Sequence, residues 1–244
     1  MSRLRRRFLT ATMLAALWPG ISAAADRIVL GITAFPPLIA EDGSPGYFDL
    51  LVREAFARLG LDARVENLPG DRALRMSNEG LTDGQALRVL GIEKEYPNLV
   101  RVPEPVFEAE FLAWAMRGDI QLTGWQDLRS LVVGYPLGWK LYDREVRQAR
   151  EIIRVRSMEQ LFPMLAASRI DVVLLDRWQA MYLTRRAGID AHPIEPALAR
   201  QEMYTYLHVR HRALVAPLAA ALAAMRADGS VKRIHDLTLK GYAK

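Results

Sequence analysis

The residue best placed for binding chemistry is Asp176, which comes directly after the apolar run Ile170 to Leu175. Such a run is typical of a buried strand. In open α/β sheets, ligands bind in the crevice beyond the carboxyl ends of the strands, so Asp176 is a candidate ligand group. Its carboxylate could form a charge-assisted hydrogen bond to a cationic group. The alternative is a cap for the helix predicted to begin at Arg177, and both roles can hold together.

Two arginines are candidates for the anionic end of a ligand. Arg88 lies five residues after Asp83, and Arg72 lies in the first turn of a short predicted helix. A planar guanidinium can hold a carboxylate through two parallel hydrogen bonds. We rank Arg88 before Arg72. The alternative for both is a solvated or paired surface arginine, the usual state of this residue type.

Aromatic side chains could supply the walls of a ligand site. The candidates are Phe35, Tyr47 and Trp139, with core packing as the alternative for each. For Trp114 core packing is the favoured role.

Other chemistry finds little support in the sequence. The chain has no cysteine, which excludes a disulfide framework, a thiol nucleophile and a cysteine zinc site. His208 and His211 are three residues apart on a predicted strand and so face opposite sides. Nucleotide-binding glycine motifs and a nucleophile elbow are missing from the sequence. We therefore expect no catalytic residue, no metal and no cofactor.

Two α/β units of similar size must position these candidates. In the first, strands at Arg27 to Ile32 and Asp62 to Leu68 alternate with a helix from Phe48 to Leu59. The same alternation of strands and helices begins again at about Thr123 and includes the helix from Trp178 to Arg186. This alternation predicts two doubly wound lobes.

Two extended segments, Glu110 to Arg117 and Met203 to Arg210, flank the second unit. We predict that they pair with each other and cross between the lobes as a two-strand hinge. The expected division is 26–110 with 207–244 for the first lobe and 111–206 for the second, the C-terminal helices returning to the first.

The N-terminus predicts export. Four arginines precede the apolar run Phe8 to Trp18, and Ala23 to Ala25 supply small residues for cleavage, which together indicate a signal peptide over residues 1–25. Arg5 to Leu9 also resembles a twin-arginine signal, so Sec and twin-arginine export both stay open. An uncleaved anchor is the alternative.

The net charge of the chain depends on this N-terminal segment. Without residues 1–25 the net charge falls from +5 to +1, which removes the main support for a nucleic-acid partner. We expect a periplasmic monomer.

Seven short segments carry a family resemblance by their order and spacing. They are Phe35-Pro36-Pro37, Gly46 to Leu50, Gly80 to Gly84, Val102 to Pro105, Gly124 to Leu128, Ser168 to Asp176 and Ala227 to Ser230. Together they resemble the family 3 extracellular solute-binding proteins, two-lobed periplasmic receptors of polar amino-acid uptake systems. The resemblance covers essentially the whole mature chain and implies the type II periplasmic-binding-protein fold.

The resemblance also implies a function and its limits. Asp176 matches the family aspartate that binds the ligand's ammonium group, and a small polar, amino-acid-like solute delivered to an ABC-type permease is the implied role. The family's carboxylate-binding arginine is missing from Ile92 to Tyr96, Gly138 is followed by Trp139 instead of threonine, and Val102-Pro103 replaces Phe-Ser. Alternatives on the same fold are a periplasmic dehydratase-like enzyme and a sensory or accessory subunit.

Overall fold

The computed structural model describes residues 27–242, and the predicted signal peptide, residues 1–25, lies outside them. The strands are β1 (Ile28–Ile32), β2 (Ala63–Asn67), β3 (Gly84–Val89), β4 (Leu99–Ala115), β5 (Val132–Pro136), β6 (Glu151–Val155), β7 (Val172–Asp176) and β8 (His192–His208). The helices are α1 (Tyr47–Ala57), α2 (Gly70–Asn78), α3 (Lys140–Glu145), α4 (Leu161–Ala166), α5 (Arg177–Ala187), α6 (Val215–Ala227) and α7 (Ser230–Thr238). Short 3₁₀ turns connect several of them.

The strands form one mixed sheet whose two ends repeat the same arrangement. Its order is β2-β1-β3-β8-β4-β7-β5-β6, with β2-β1-β3 parallel at one end and β6-β5-β7 parallel at the other. Before the third strand of each half, an aspartate accepts a hydrogen bond from a backbone N–H of the first strand. Asp83 accepts from Val29 N and Asp171 from Val132 N, both at 2.7 Å. These two aspartates therefore fix the strand register in both halves.

The long strands β4 and β8 run through both halves and join them. They pair antiparallel from Leu99 opposite His208 to Ala115 opposite His192. The molecule has two α/β lobes, as the sequence predicted, with these two strands between them. The expected pairing was wrong in detail, because Met203 lies opposite Phe107 and not opposite a residue of the 110–117 segment.

Each lobe has its own hydrophobic core. In the first lobe, Leu30 and Phe48 pack with residues of the C-terminal helices, among them Leu218 and Ile234. In the second lobe, one core lies on each face of the sheet, one of them around Tyr142 and the other around Leu175.

The lobes also touch each other through side chains outside the hinge strands. Phe35, after β1, packs against the second-lobe core around Leu175, and Trp178, in α5, packs against the first-lobe core. Glu41, in the loop after β1, accepts a hydrogen bond from the Tyr182 hydroxyl of α5. The closing movement of such a hinge would make or break these contacts.

Within residues 27–242 no single helix combines the length and apolar character needed to cross a membrane. Two consecutive helical segments, Val209–Ala227 and Ser230–Thr238, have the required length and apolar character only when they are taken together, and they are bent by 72° relative to each other.

Candidate functional site

A cavity of about 520 Å³ lies between the lobes at the carboxyl ends of the strands. Its first-lobe wall comes from the loop after β1, the start of α2 and the end of β3. Its second-lobe wall comes from the start of α3 and the junction of β7 with α5, and the hinge strands form the floor. Four of the six sequence-predicted site residues line it, namely Phe35, Arg88, Trp139 and Asp176. This is the position in which α/β proteins bind ligands.

Arg88 presents a half-buried charge to this cavity. Its Nε donates to Gln85 Oε1 at 2.8 Å, and its Nη2 donates to Thr33 Oγ1 at 3.2 Å and Gly70 O at 3.3 Å. Within residues 27–242, no carboxylate lies within salt-bridge distance of the guanidinium, and Nη1 has no hydrogen-bond partner. Burial lowers the pKa of Arg88 to about 10, so the group remains a cation at neutral pH. A cation held by neutral acceptors is suited to an incoming anion.

A β-bulge places Arg88 beside Gln85. In a regular strand, residues three apart face opposite sides, yet the side chains of these two residues hydrogen-bond. The pairing of β3 with β8 shifts register between them, because Gln85 lies opposite Tyr206 and Arg88 opposite Tyr204. The amide of Gln85 is itself anchored, since its Nε2 donates to Ala73 O of α2 at 2.9 Å. Arg88 is therefore held from behind by a buried polar network.

Asp176 is both a helix cap and a cavity group. Its Oδ1 accepts from the backbone N–H groups of Trp178 and Gln179 at 3.1 and 3.2 Å, so the helix-cap interpretation is confirmed. Its Oδ2 is buried without a hydrogen-bond partner within the described chain, as is Oε1 of Gln179. Both side chains line the cavity and are more than nine-tenths buried. Two acceptor oxygens thus lack a donor, which is costly unless a ligand supplies one.

Burial determines the charge state of Asp176. It raises the pKa of this carboxyl to about 7, and the two helix N–H groups counter the rise only in part. The hydroxyl of Tyr142 is also buried without a partner in the described part of the chain, and burial together with the Asp176 charge raises its pKa well above the usual value. A cationic ligand group would favour the ionised form of Asp176.

An aromatic wall stands on the second-lobe side. The ring of Trp139 stacks on Tyr142 with centroids 5.4 Å apart and an interplanar angle of 3°, and it meets Phe111 edge-on at 6.0 Å. Gly138, which precedes Trp139, has φ +87°, a conformation that side chains rarely adopt. This turn directs the indole into the cavity lining, where Phe35 contributes from the first lobe.

Two predicted site residues lie elsewhere. Tyr47 begins α1 on its buried face and is 3% exposed, and its ring packs against Phe48 and Phe107 with centroids 5.1 and 5.7 Å apart. The apolar stripe of α1 includes residue 47, so the side chain belongs to the first-lobe core. Arg72 is exposed, because Ala73 and Ser77 are the buried residues of α2. Neither Tyr47 nor Arg72 lines the cavity.

Sequence reasoning missed Gln179, although the spacing could have identified it. Residues three apart lie on one face of a helix, so Gln179 follows from Asp176 once the helix start is known. Asp71 and Lys140 also line the cavity, but both are exposed at its mouth. Among residues 27–242, no group of three or more histidine, aspartate or glutamate side chains is arranged to hold a metal ion.

Comparisons with known proteins show which folds this chain is similar to. No family model matches the chain. An uncharacterized protein of Shewanella oneidensis is 28% identical over 197 residues, covering 76% of this chain and 73% of that protein. The probable amino-acid ABC transporter extracellular-binding protein ytmK of Bacillus subtilis has a TM-score of 0.75 at 18% identity, covering 88% of this chain and 98% of that one. A histidine kinase sensor domain with similarity to periplasmic binding proteins has a TM-score of 0.72 at 20% identity, covering 88% and 96%. The chain is thus similar in fold to two-lobed amino-acid-binding and sensor proteins.

Proposed function

We propose that this protein is a receptor that captures an amino-acid-like solute between its lobes. The observation that carries the proposal is that, within the described residues, one cavity has an arginine without a carboxylate partner on one wall and unsatisfied acceptor oxygens on the other. The first lobe offers the guanidinium of Arg88, and the second offers the acceptor oxygens of Asp176 and Gln179. A carboxylate fits the first wall and an ammonium group fits the second.

Such a ligand favours the closed form because it bonds to both lobes at once. A solute shifts a hinge equilibrium only through contacts that differ between the open and closed states. Arg88 and Asp176 lie on opposite lobes, so a zwitterion bridging them makes its full set of bonds only when the lobes are closed. No catalytic step is required, and we propose no enzymatic activity.

We further propose export to the periplasm, a monomeric state, and an ABC-type permease as the partner that reads the closed form. The likeness to a probable ABC transporter binding protein supports the permease. In this proposal the first lobe includes Met203 to Tyr206, since these residues lie beside β3.

A second candidate is a sensing subunit that signals to another protein when it closes. The likeness to a histidine kinase sensor domain favours it. Both candidates use the same cavity, and they differ in the partner that recognises the closed lobes. Capture of the permease or of a kinase by the ligand-bound protein separates the two.

A thermal-shift screen of the purified protein against amino acids and small carboxylates tests the proposed capture. A solute at 100 times its dissociation constant stabilises the folded state by about 2.7 kcal/mol. We expect at least one amino acid to raise the melting temperature. If no amino acid and no carboxylate stabilises the protein, the proposed function is wrong.

A further inference from the structure

The lining of the cavity is mostly apolar away from the groups that would hold a ligand's charged ends. More than half of the lining residues carry apolar side chains, and they come from both lobes and from the hinge. Leu38 and Leu74 contribute from the first lobe, Phe107 and Phe111 from a hinge strand, and Trp139 from the second lobe.

Most polar side chains of the cavity either have hydrogen-bond partners within the protein, face solvent or would bind the charged ends of the ligand. The hydroxyl of Thr33 donates to Leu68 O at 2.8 Å and accepts from Arg88. Asp71 and Lys140 are exposed at the mouth, where water solvates them. Once a carboxylate and an ammonium group occupy Arg88, Asp176 and Gln179, the half-buried amide of Gln201 is the one polar side chain of this lining left to meet the rest of the ligand.

Such a surface favours apolar over polar ligand side chains, because a side chain loses its contacts with water when it enters the cavity. A polar side chain that enters the cavity exchanges its hydrogen bonds with water for contacts with carbon, which disfavours binding. An apolar side chain gains because its surface leaves water. The rings of Trp139 and Phe111, which both line the cavity, suit a planar or branched hydrocarbon group.

Resting on the proposed function, we infer that the captured solute is an amino acid with a bulky apolar side chain, either branched aliphatic or aromatic. This replaces the small polar solute that the sequence resemblance implied.

Calorimetric titration of the purified protein with a panel of amino acids tests the inference. L-phenylalanine and L-leucine test the contact of a bulky apolar side chain with the cavity lining. L-alanine tests the two charged ends alone, and L-glutamine and L-arginine test polar side chains. We expect phenylalanine or leucine to bind at least tenfold more tightly than alanine, glutamine and arginine. Glutamine or arginine binding as tightly as the better apolar amino acid would overturn the inference. So would alanine binding as tightly.

A pair of tryptophan variants locates the effect in the cavity. Trp139→Ala should weaken the binding of the preferred apolar amino acid at least tenfold and change alanine binding less than threefold. Trp125→Ala is the matched control, because Trp125 contacts Tyr142 edge-on at 6.1 Å but does not line the cavity. Equal loss in both variants, or an equal loss for alanine, would contradict the inference.

The two proposals fail in different ways. If polar amino acids bind best, the receptor function stands and the apolar ligand class is wrong. If no amino acid binds, alanine included, and no small carboxylate stabilises the protein, the receptor function itself is wrong.

Discussion

Replacing Asp176 by asparagine should stabilise the ligand-free protein at neutral to alkaline pH while weakening ligand binding. The Oδ1 atom caps α5, and the amide oxygen of an asparagine can accept the same two hydrogen bonds. The Oδ2 atom is buried without a partner in the described structure. The variant thus keeps the cap and removes a buried charge.

The magnitude follows from the shifted titration of the carboxyl. Its pKa rises from 3.8 to about 7 on folding, so the folded state holds a proton that the unfolded chain has already lost. For an acid whose pKa is raised by folding, stability falls as the pH rises through this interval, and the loss is complete above about pH 7. Between about pH 5 and about pH 8 the wild type should lose roughly 2 to 3 kcal/mol that Asp176→Asn retains.

Thermal unfolding followed by circular dichroism at these two pH values measures the difference. For a chain of this size, about 1 kcal/mol shifts Tm by roughly 2 to 4 °C, so the variant should gain roughly 4 to 12 °C over the wild type on going from the lower pH to the higher. Asp190→Asn, which removes an exposed carboxylate from the same lobe, is the control and should follow the wild type. An identical pH dependence of Tm in Asp176→Asn and the wild type would refute the reasoning.

Three further predictions concern charge, packing and the contact between the lobes. Arg88→Gln should weaken binding of the preferred amino acid more than tenfold, because a desolvated partner is lost, whereas Arg72→Gln on the exposed face of α2 should bind as the wild type does in calorimetry. Tyr47→Ala should lower the free energy of unfolding by roughly 3 to 5 kcal/mol in denaturant titrations and leave the affinity of the folded protein unchanged, since it opens the first-lobe core. Glu41→Gln should weaken the bond to the Tyr182 hydroxyl and increase the radius of gyration of the ligand-free protein in small-angle scattering, and an unchanged radius would show that this contact does not hold the lobes together.

The fold could be predicted because its pattern is repeated along the chain. The duplicated strand and helix alternation gave the two lobes, and the position of Asp176 after a buried strand placed it in the cavity. The hinge strands were harder to predict, since Pro103 and Pro105 lie within β4, where proline normally argues against a central strand. Their full length is set by pairing with β8, which is a tertiary contact.

The site was only partly predictable, because its decisive features depend on packing. The bulge that turns Arg88 beside Gln85 arises from the register of β3 on β8, which no local pattern reports. Tyr47 was misplaced because the burial of the first turn of α1 depends on Phe107 from the distant hinge strand. The apolar character of the lining became visible only when residues from three parts of the chain were brought together.

The central claim is that one ligand bridges Arg88 and Asp176 through its own carboxylate and ammonium groups. The most direct test compares, by calorimetry, the tightest-binding amino acid of the panel with its decarboxylated amine and its deaminated acid. Each analogue leaves one buried partner unpaired, so both should bind at least tenfold more weakly than the parent. Binding of either analogue as tightly as the parent amino acid would contradict the account.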